Sequence, residues 1–448
     1  MPTSGLKLSE LIGSLSHALD ITEGQPEGHC VRCCWIGMHI GRDLGFSEQE
    51  LWELYYTLLL KDLGCSSNAA RISQLYLSDD LSFKRDFKWI DGSKMQALNF
   101  VVRHTGLQSG LAEKFKTLLT IFKNGGDISQ ELIQTRCQRG ADIARQLRFS
   151  EGVASGIHAL DEHWDGHGRP DALAGEEIPV YARIALLSQV VDVFHTVGGL
   201  QEAMQEVRNR TGSWFDPKLV DALERISRMS DFWSMLNSKE LYRAVLDLEP
   251  AHLEIPLDDD YLDEIAAAFG QIVDAKSPYT QGHSVRVALY TDLVAAELGV
   301  TAARRRWLKR GALLHDIGKL GVSNTILDKP GKLEAEEWEA VKRHASYSES
   351  IMSRIGIFKE LATVSGAHHE RLDGGGYPKG LKSDQITMET RIITVADIFD
   401  AITAERPYRG ATPVPETLEI MLKNVGSAID PDCFRALQKV AGNLPENS

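Results

Sequence analysis

The chain has 448 residues, enough for two or three domains with cores of their own at roughly 100–200 residues each. Its 63 acidic against 49 basic residues leave a net charge of −14, which argues against a general nucleic-acid or anionic-membrane surface, so any bound phosphate must meet local cations. No run approaches the roughly 18–20 apolar residues of a membrane span, and the N-terminal stretch lacks a signal-peptide pattern; the expectation is a cytoplasmic protein with no DNA or membrane partner.

In chain order, the first chemically suggestive stretch is GHCVRCC at 28–34, followed by LLKDLGC at 59–65. No second C-x-x-C or close His pair completes four zinc ligands around Cys30, Cys33 and Cys34, so these read as buried structural cysteines. His158, His163 and His167 form a loose cluster too sparse for a metal site. A polar helical stretch from 226 runs into AHLEIPLDDD, whose prolines and Asp run mark a connection. Beyond it, 261–276, 285–299 and 302–318 carry apolar residues at three-and-four spacing, with Gly299 and Gly318 where helices should stop. No comparable set of alternating strands occurs, so the fold class is all-α. The expected division is a first helical domain over 1–225, a helical linker over 226–259 and a second domain over 260–448.

The two halves spell one pattern twice. GHCVR and Asp62 recur as GHSVR (282–286) and Asp316 at an offset of 254, whereas WDGHGRP (164–170) and ARIALLSQVVDVF recur as LDGGGYP (372–378) and TRIITVADIFDAI at an offset of 208. The difference is an insertion in the first copy, at about 66–130. The second copy carries His283, His315, Asp316, His344, His368, His369 and Asp397; imidazole and carboxylate without thiolate suit iron, manganese or a related ion rather than structural zinc. The matching positions of the first copy read His29, Lys61, Asp62, Arg136, Leu160, Asp161 and Gln189, with Asp192 as an alternative to Gln189. A cation in place of a ligand repels a divalent ion, so the first copy should build no metal centre.

Together His283, HDIGK at 315–319, His344, HHE at 368–370, LDGGGYP and Asp397 resemble the HD-GYP family of bacterial cyclic-dinucleotide phosphodiesterases, within the HD superfamily of metal-dependent phosphohydrolases. The plan of a degenerate copy before an intact one is similar to the tandem members that cleave 3′,3′-cyclic GMP-AMP. The resemblance implies two tandem HD-type domains and two divalent ions, iron or manganese. One ion would take His283, His315, Asp316 and Asp397, and the other Asp316, His344, His368 and His369, with a bridging hydroxide attacking cyclic GMP-AMP or cyclic di-GMP to give a linear 5′-phosphorylated dinucleotide. Asp316 and Lys319 are the implied catalytic groups, and Lys319, Arg371, Gly375, Tyr377, Arg406 and Arg409 the implied substrate contacts. Some members hold a third ion with a Glu four residues before the first His; Tyr279 stands there instead and is a poor ligand at neutral pH. The GGGYP loop and the first domain are the implied surfaces for protein partners, a homodimer included. Two rival readings are an HD-superfamily diiron oxygenase and a non-catalytic cyclic-dinucleotide sensor; Lys319, Arg406 and Arg409 favour phosphate chemistry.

Overall fold

The computed structural model describes residues 7–90, 94–106, 111–250, 257–405 and 410–442. Among them there are helices, short 3-10 turns and three isolated bridges but no strand, as the all-α reading expects. The chain divides into two compact units, Ser4–Leu257 and Asp258–Ser448.

Local chemistry sets the helix starts in both units alike. His29–Asp43 and His283–Glu297 each follow a glycine in the left-handed region, Gly28 (φ 83°) and Gly282 (φ 71°), a conformation that side chains with a Cβ resist. The next helices, Glu48–Leu60 and Ala302–Leu314, are capped by Ser47, which accepts from the Glu50 N–H, and Thr301, which accepts from that of Arg304. Both end immediately before the dipeptides Lys61-Asp62 and His315-Asp316, which are thereby delivered to the buried end of the helix. The closing helices, Pro217–Ile226 and Pro431–Ala441, start with an Asp cap and a proline at the first position. Those caps, Asp216 and Asp430, also accept from Arg183 and Arg391 at 2.7 and 2.8 Å.

Two expectations need correction. Gly318 does not stop a helix: the helix ends at Leu314, and Gly318 lies inside the 3-10 turn Ile317–Gly321. Its role is close approach, because a Cβ there would lie 2.0 Å from the carbonyl oxygen of His344. Gly64 has the same relation to Arg136, at 1.9 Å, which places Arg136 opposite His344 in the register of the duplication. The second correction concerns 226–259. Its described part through 250 is built into the first unit: Trp35 Nε1 donates to the Phe232 carbonyl at 3.2 Å, and Glu249 accepts from Ser9 Oγ at 2.6 Å and Tyr56 OH at 2.5 Å. Tyr242 meets Ser14 at 3.1 Å.

The insertion has a core of its own, in which Ile72, Tyr76, Phe83, Ile90, Phe100, Ile121, Ile128 and Leu132 are buried together. Among the described residues one helix, Val180–Arg210, is long and apolar enough to cross a membrane by composition; 72% of its apolar window is buried inside the fold, and Gly199 (φ 76°) breaks its regularity.

Candidate metal centre

Five elements of the second unit converge on one buried gap. His283 enters from the first turn of its helix, His315 and Asp316 from the end of Ala302–Leu314, His344 from mid-helix Ala335–Ser353, His368 and His369 from the turn after Lys359–Gly366, and Asp397 from Met388–Thr403. They form two groups whose ligand-capable atoms lie within 4.8 Å of one another: His283, His315 and Asp397, and Asp316, His344, His368 and His369. Asp316 faces both. Its Oδ2 is 3.3 Å from the Nε2 atoms of His283 and His315, and its Oδ1 is 3.3 Å from His344 Nε2 and 3.7 Å from His368 Nε2. Asp397 Oδ1 lies 3.4 Å from His283 Nε2 and 3.7 Å from His315 Nε2.

The outer nitrogens explain why the inner ones point into the gap. His315, His344 and His368 each turn Nδ1 to the carbonyl three residues back, Ala312, Val341 and Ser365, at 2.6, 2.5 and 2.5 Å. His283 Nδ1 instead meets Asp400 Oδ2 at 2.7 Å, and Arg286 Nε donates to the other oxygen of that carboxylate at 2.6 Å. Such partners fix the ring orientation and leave Nε2 as the ligand atom. The sequence reading missed Asp400 and Arg286; an acid one turn after Asp397 and a basic residue one turn after His283 were the available signal.

His283 Nε2, His315 Nε2 and Asp316 Oδ1 are buried without a hydrogen-bond partner, at a cost of about 1–3 kcal/mol each for an unsatisfied group. Burial pulls the His283 and His315 pKa values down, but the surrounding carboxylates outweigh it, raising His283 well above its ordinary value and His315 to about 9. Burial also opposes ionisation of Asp316 and Asp397, yet the neighbouring histidines hold both well below the usual carboxylate range. Burial lowers His344 to about 4 and His369 to about 3, and holds His368 neutral too. A region that draws positive charge to ionised carboxylates, beside imidazoles kept neutral, has the donor set and the unsatisfied atoms that divalent cations fit.

Lys319 Nζ reaches Asp316 Oδ2 at 2.5 Å and is one-fifth exposed, at the mouth of the gap. The GGGYP loop lies against the second group: Tyr377 packs on His369 with ring centroids 4.8 Å apart, and a Cβ on Gly376 would meet the His369 carbonyl oxygen at 2.6 Å. Glu370 anchors the loop by accepting from the backbone of Lys379 (2.6 Å) and Leu381 (2.8 Å). Arg371 pairs with Asp373 at 2.7 Å, and Gly375 N–H donates to the same carboxylate at 2.9 Å, so both brace the exposed loop. Arg406 and Arg409 lie outside the described residues.

The first unit builds the same frame and fills the gap with its own cation. His29 Nδ1 meets Asp192 at 2.6 Å and Arg32 Nε donates to Asp192 at 2.6 Å, matching His283, Asp400 and Arg286. Asp192 is therefore the counterpart of Asp400, and Gln189 that of Asp397. Lys61 Nζ donates to His29 Nε2 at 3.1 Å, to Gln189 Oε1 at 3.0 Å and to Asp62. From the insertion, Lys88 reaches Gln189 at 3.3 Å and Glu23 at 3.1 Å, while Lys84 donates to the Cys65 carbonyl at 2.5 Å. Arg136 pairs with Asp161. His29, Cys33 and Asp192, and likewise Glu23, Asp62 and Cys65, lie close enough to share an ion, but Lys61 already engages His29 and Asp62, Lys84 and Lys88 engage Glu23, and Arg32 engages Asp192. His158 pairs with Asp171, His163 stacks on Trp214 and His167 is exposed beside Asp165, so the three do not converge. All six cysteines are free and buried.

Comparison with known proteins agrees with this frame. An HD domain model matches residues 110–219 and 268–433. The chain is 58% identical over 439 residues to the 3′3′-cGAMP-specific phosphodiesterase 3 of Vibrio cholerae, covering 98% of this chain and 95% of that protein. It is 34% identical over 190 residues to a cyclic di-GMP phosphodiesterase of Thermotoga maritima, covering 42% of this chain and 52% of that one. A crystal structure of a cyclic GMP-AMP specific phosphodiesterase of V. cholerae superposes with a TM-score of 0.68 at 54% identity, covering 98% of each chain.

Proposed function

Because the chain belongs to the HD domain family and to its HD-GYP branch, we propose that its second unit is a metal-dependent phosphodiesterase that opens 3′,3′-cyclic GMP-AMP, cyclic di-GMP or both to a linear 5′-phosphorylated dinucleotide. One observation carries the reading: a single buried carboxylate, Asp316, faces two ligand groups through different oxygens. We assign two ions per chain, iron or manganese, to His283, His315, Asp316 and Asp397 on one side and Asp316, His344, His368 and His369 on the other. When bound, such a pair lowers the pKa of water towards neutrality and neutralises charge on a phosphoryl group.

The chain's own groups supply the rest. Asp316 holds the two ligand groups in register. Lys319 Nζ, beside Asp316 Oδ2, is placed to meet a phosphoryl oxygen or the departing 3′ oxygen. In the balanced reaction a water oxygen bonds to phosphorus, one P–O3′ bond breaks, and a proton ends on O3′. The Tyr377 ring walls the gap beside His369 and His344 and limits water entry from the loop side. An ammonium at the mouth favours phosphate chemistry over oxygenase chemistry.

We assign the first copy, 1–225, a non-catalytic role in a cytoplasmic enzyme, with the GGGYP loop and that copy as surfaces for protein partners, a second chain included. The test is to incubate metal-loaded full-length protein separately with cyclic GMP-AMP, cyclic di-GMP and cyclic di-AMP and to identify products chromatographically. A linear dinucleotide from either guanine-containing substrate is expected; no turnover of any of them overturns the reading.

A further inference from the structure

Beside the His283 ligand group the second unit has an open cavity of about 510 Å³, lined among others by Tyr279, Gln281, Arg286, Tyr290, Thr403 and Glu405. That volume lies within the roughly 300–1,000 Å³ of small-molecule pockets. It connects to the reaction site through one carboxylate: Arg286 in its wall binds Asp400, which holds His283 Nδ1. Arg286 also donates to the Gln281 carbonyl at 2.9 Å, so its guanidinium shapes the wall. Tyr290 is fixed edge-on against Phe399, with centroids 5.0 Å apart, and forms a rigid aromatic surface. The exposed carboxylate of Glu405 stands at the rim.

The first copy treats the same place differently. Arg32 repeats Arg286 in every one of these bonds, including donation to the Glu27 carbonyl at 2.8 Å. Yet His195 stands where Thr403 does, and Trp233 lies stacked over it with centroids 5.2 Å apart. The unit whose gap is filled by Lys61 thus stacks Trp233 at this flank, whereas among the described residues of the second unit Thr403 lines the cavity. The pocket goes with the chemistry.

We propose that this cavity takes a guanine base of the cyclic dinucleotide, with Tyr279 and Tyr290 as its aromatic walls and Glu405 reading the base edge; the proposal rests on the phosphodiesterase reading above. A purine ring offers flat faces to aromatic side chains. An ionised carboxylate only accepts hydrogen bonds, and guanine presents two adjacent donors, N1–H and the 2-amino group, on its Watson–Crick edge. Adenine presents an unprotonated N1 there, whose lone pair a carboxylate repels. The pocket therefore discriminates by chemistry as well as by shape, and a site that hydrogen-bonds one base rejects another that leaves its polar group unpaired.

The experiment uses the metal-loaded full chain, Glu405→Gln, Tyr279→Ala and Tyr279→Phe. For Glu405→Gln, kcat/KM for cyclic di-GMP relative to cyclic di-AMP should fall about tenfold or more. Tyr279→Ala should raise KM for cyclic GMP-AMP about tenfold with a smaller change in kcat, and Tyr279→Phe should restore it. In parallel, calorimetry compares GMP with AMP on each protein. The preference for GMP should vanish in Glu405→Gln, and as a ratio within one preparation it is insensitive to partial misfolding. Unchanged ratios in Glu405→Gln, or equal binding of GMP and AMP by the wild type, overturn the proposal. Failure of the wild type to turn over any cyclic dinucleotide overturns the phosphodiesterase reading instead, and the mononucleotide measurement still decides the pocket.

Discussion

In the first unit an ammonium group, Lys61 Nζ, lies among His29, Asp62 and Gln189; in the second the matching space is walled by His283, Asp316 and Asp397, with His315 where the lysine was. The frame around the two spaces is the same, down to the carboxylate behind the first histidine and the arginine behind that carboxylate. A buried carboxylate needs a positive partner, and the two copies meet that need by different means. The first copy supplies the charge covalently, on its own side chain. The second presents unsatisfied donor atoms to cations from solution. The insertion adds to the first copy's own charge, placing Lys84 and Lys88 beside Glu23.

The largest expected effect comes from breaking the second site at the residue that faces both ligand groups. Asp316→Ala should lower turnover about a thousandfold or more, because it removes charge and spacing from both groups at once. Elemental analysis should show that the variant holds fewer than two ions per chain. Near-normal turnover with full metal would refute the shared-carboxylate arrangement. In the same measurement the wild type should hold about two ions, all lost on chelation. Lys61→His should leave that number unchanged, since Arg136, Lys88 and Gln189 remain where ligands would be required.

The reverse change tests the claim that Lys61 is the first unit's substitute cation. Lys61→Met removes the ammonium paired with buried Asp62 and leaves that carboxylate the weaker thiol donors of Cys30 and Cys65, which should cost up to about 3–5 kcal/mol. Denaturant unfolding should show the first transition moving to lower denaturant, while metal content stays at the wild-type value. A midpoint unchanged in Lys61→Met would mean that the ammonium is incidental.

The duplication, and which His and Asp residues the second copy brings together, were legible in the sequence because each rests on short motifs at fixed spacing. The finer assignments were not. Gln189 and Asp192 lie three residues apart on one helix and both are chemically plausible stand-ins for Asp397; the 208-residue offset pairs Asp192 with Asp400, and the matching His–Asp–Arg hydrogen bonds decide for it. Lys84 and Lys88 lie in the insertion, where no motif repeats, and their partners are Glu23, Cys65 and Gln189, far away in sequence. The 226–250 stretch read as a connection because its helices are short and polar, although Phe232, Leu236 and Val245 are buried. Local pattern reports which face of an element is apolar, but not which long-range partner covers it.

Acid loads both spaces, since His344 and His369 are lowered as well, and His29 marks the first unit's share. Burial, reinforced by the Lys61 charge, lowers the His29 pKa from its ordinary 6.5 to about 4 despite Asp192. The folded first unit thus resists a proton that the unfolded chain accepts. The stability this represents, about 3 kcal/mol, is complete above pH 6.5 and is lost as the pH falls towards 4. Equilibrium unfolding of the full chain between those values should show the loss, and His29→Gln should flatten the profile. A His29→Gln profile as steep as that of the wild type would assign the acid sensitivity elsewhere.

The smallest effect is the most discriminating, because it asks one chemical change to do different things in the two copies. Asp400 and Asp192 each accept from a histidine Nδ1 and an arginine, and neither touches the gap itself. In the second unit Asp400→Asn should weaken metal binding about 10- to 100-fold, the usual cost of losing the carboxylate behind a ligating histidine, since the ring loses both its orientation and some of its basicity. On the proposed reading the first unit holds no ion, so Asp192→Asn should cost only stability, through the unpaired Arg32. Titrating each apo variant with manganese and following its unfolding reads both outcomes. Equal losses of metal affinity in the two variants would mean that the first unit binds an ion after all, and that Lys61 has not taken the metal's place.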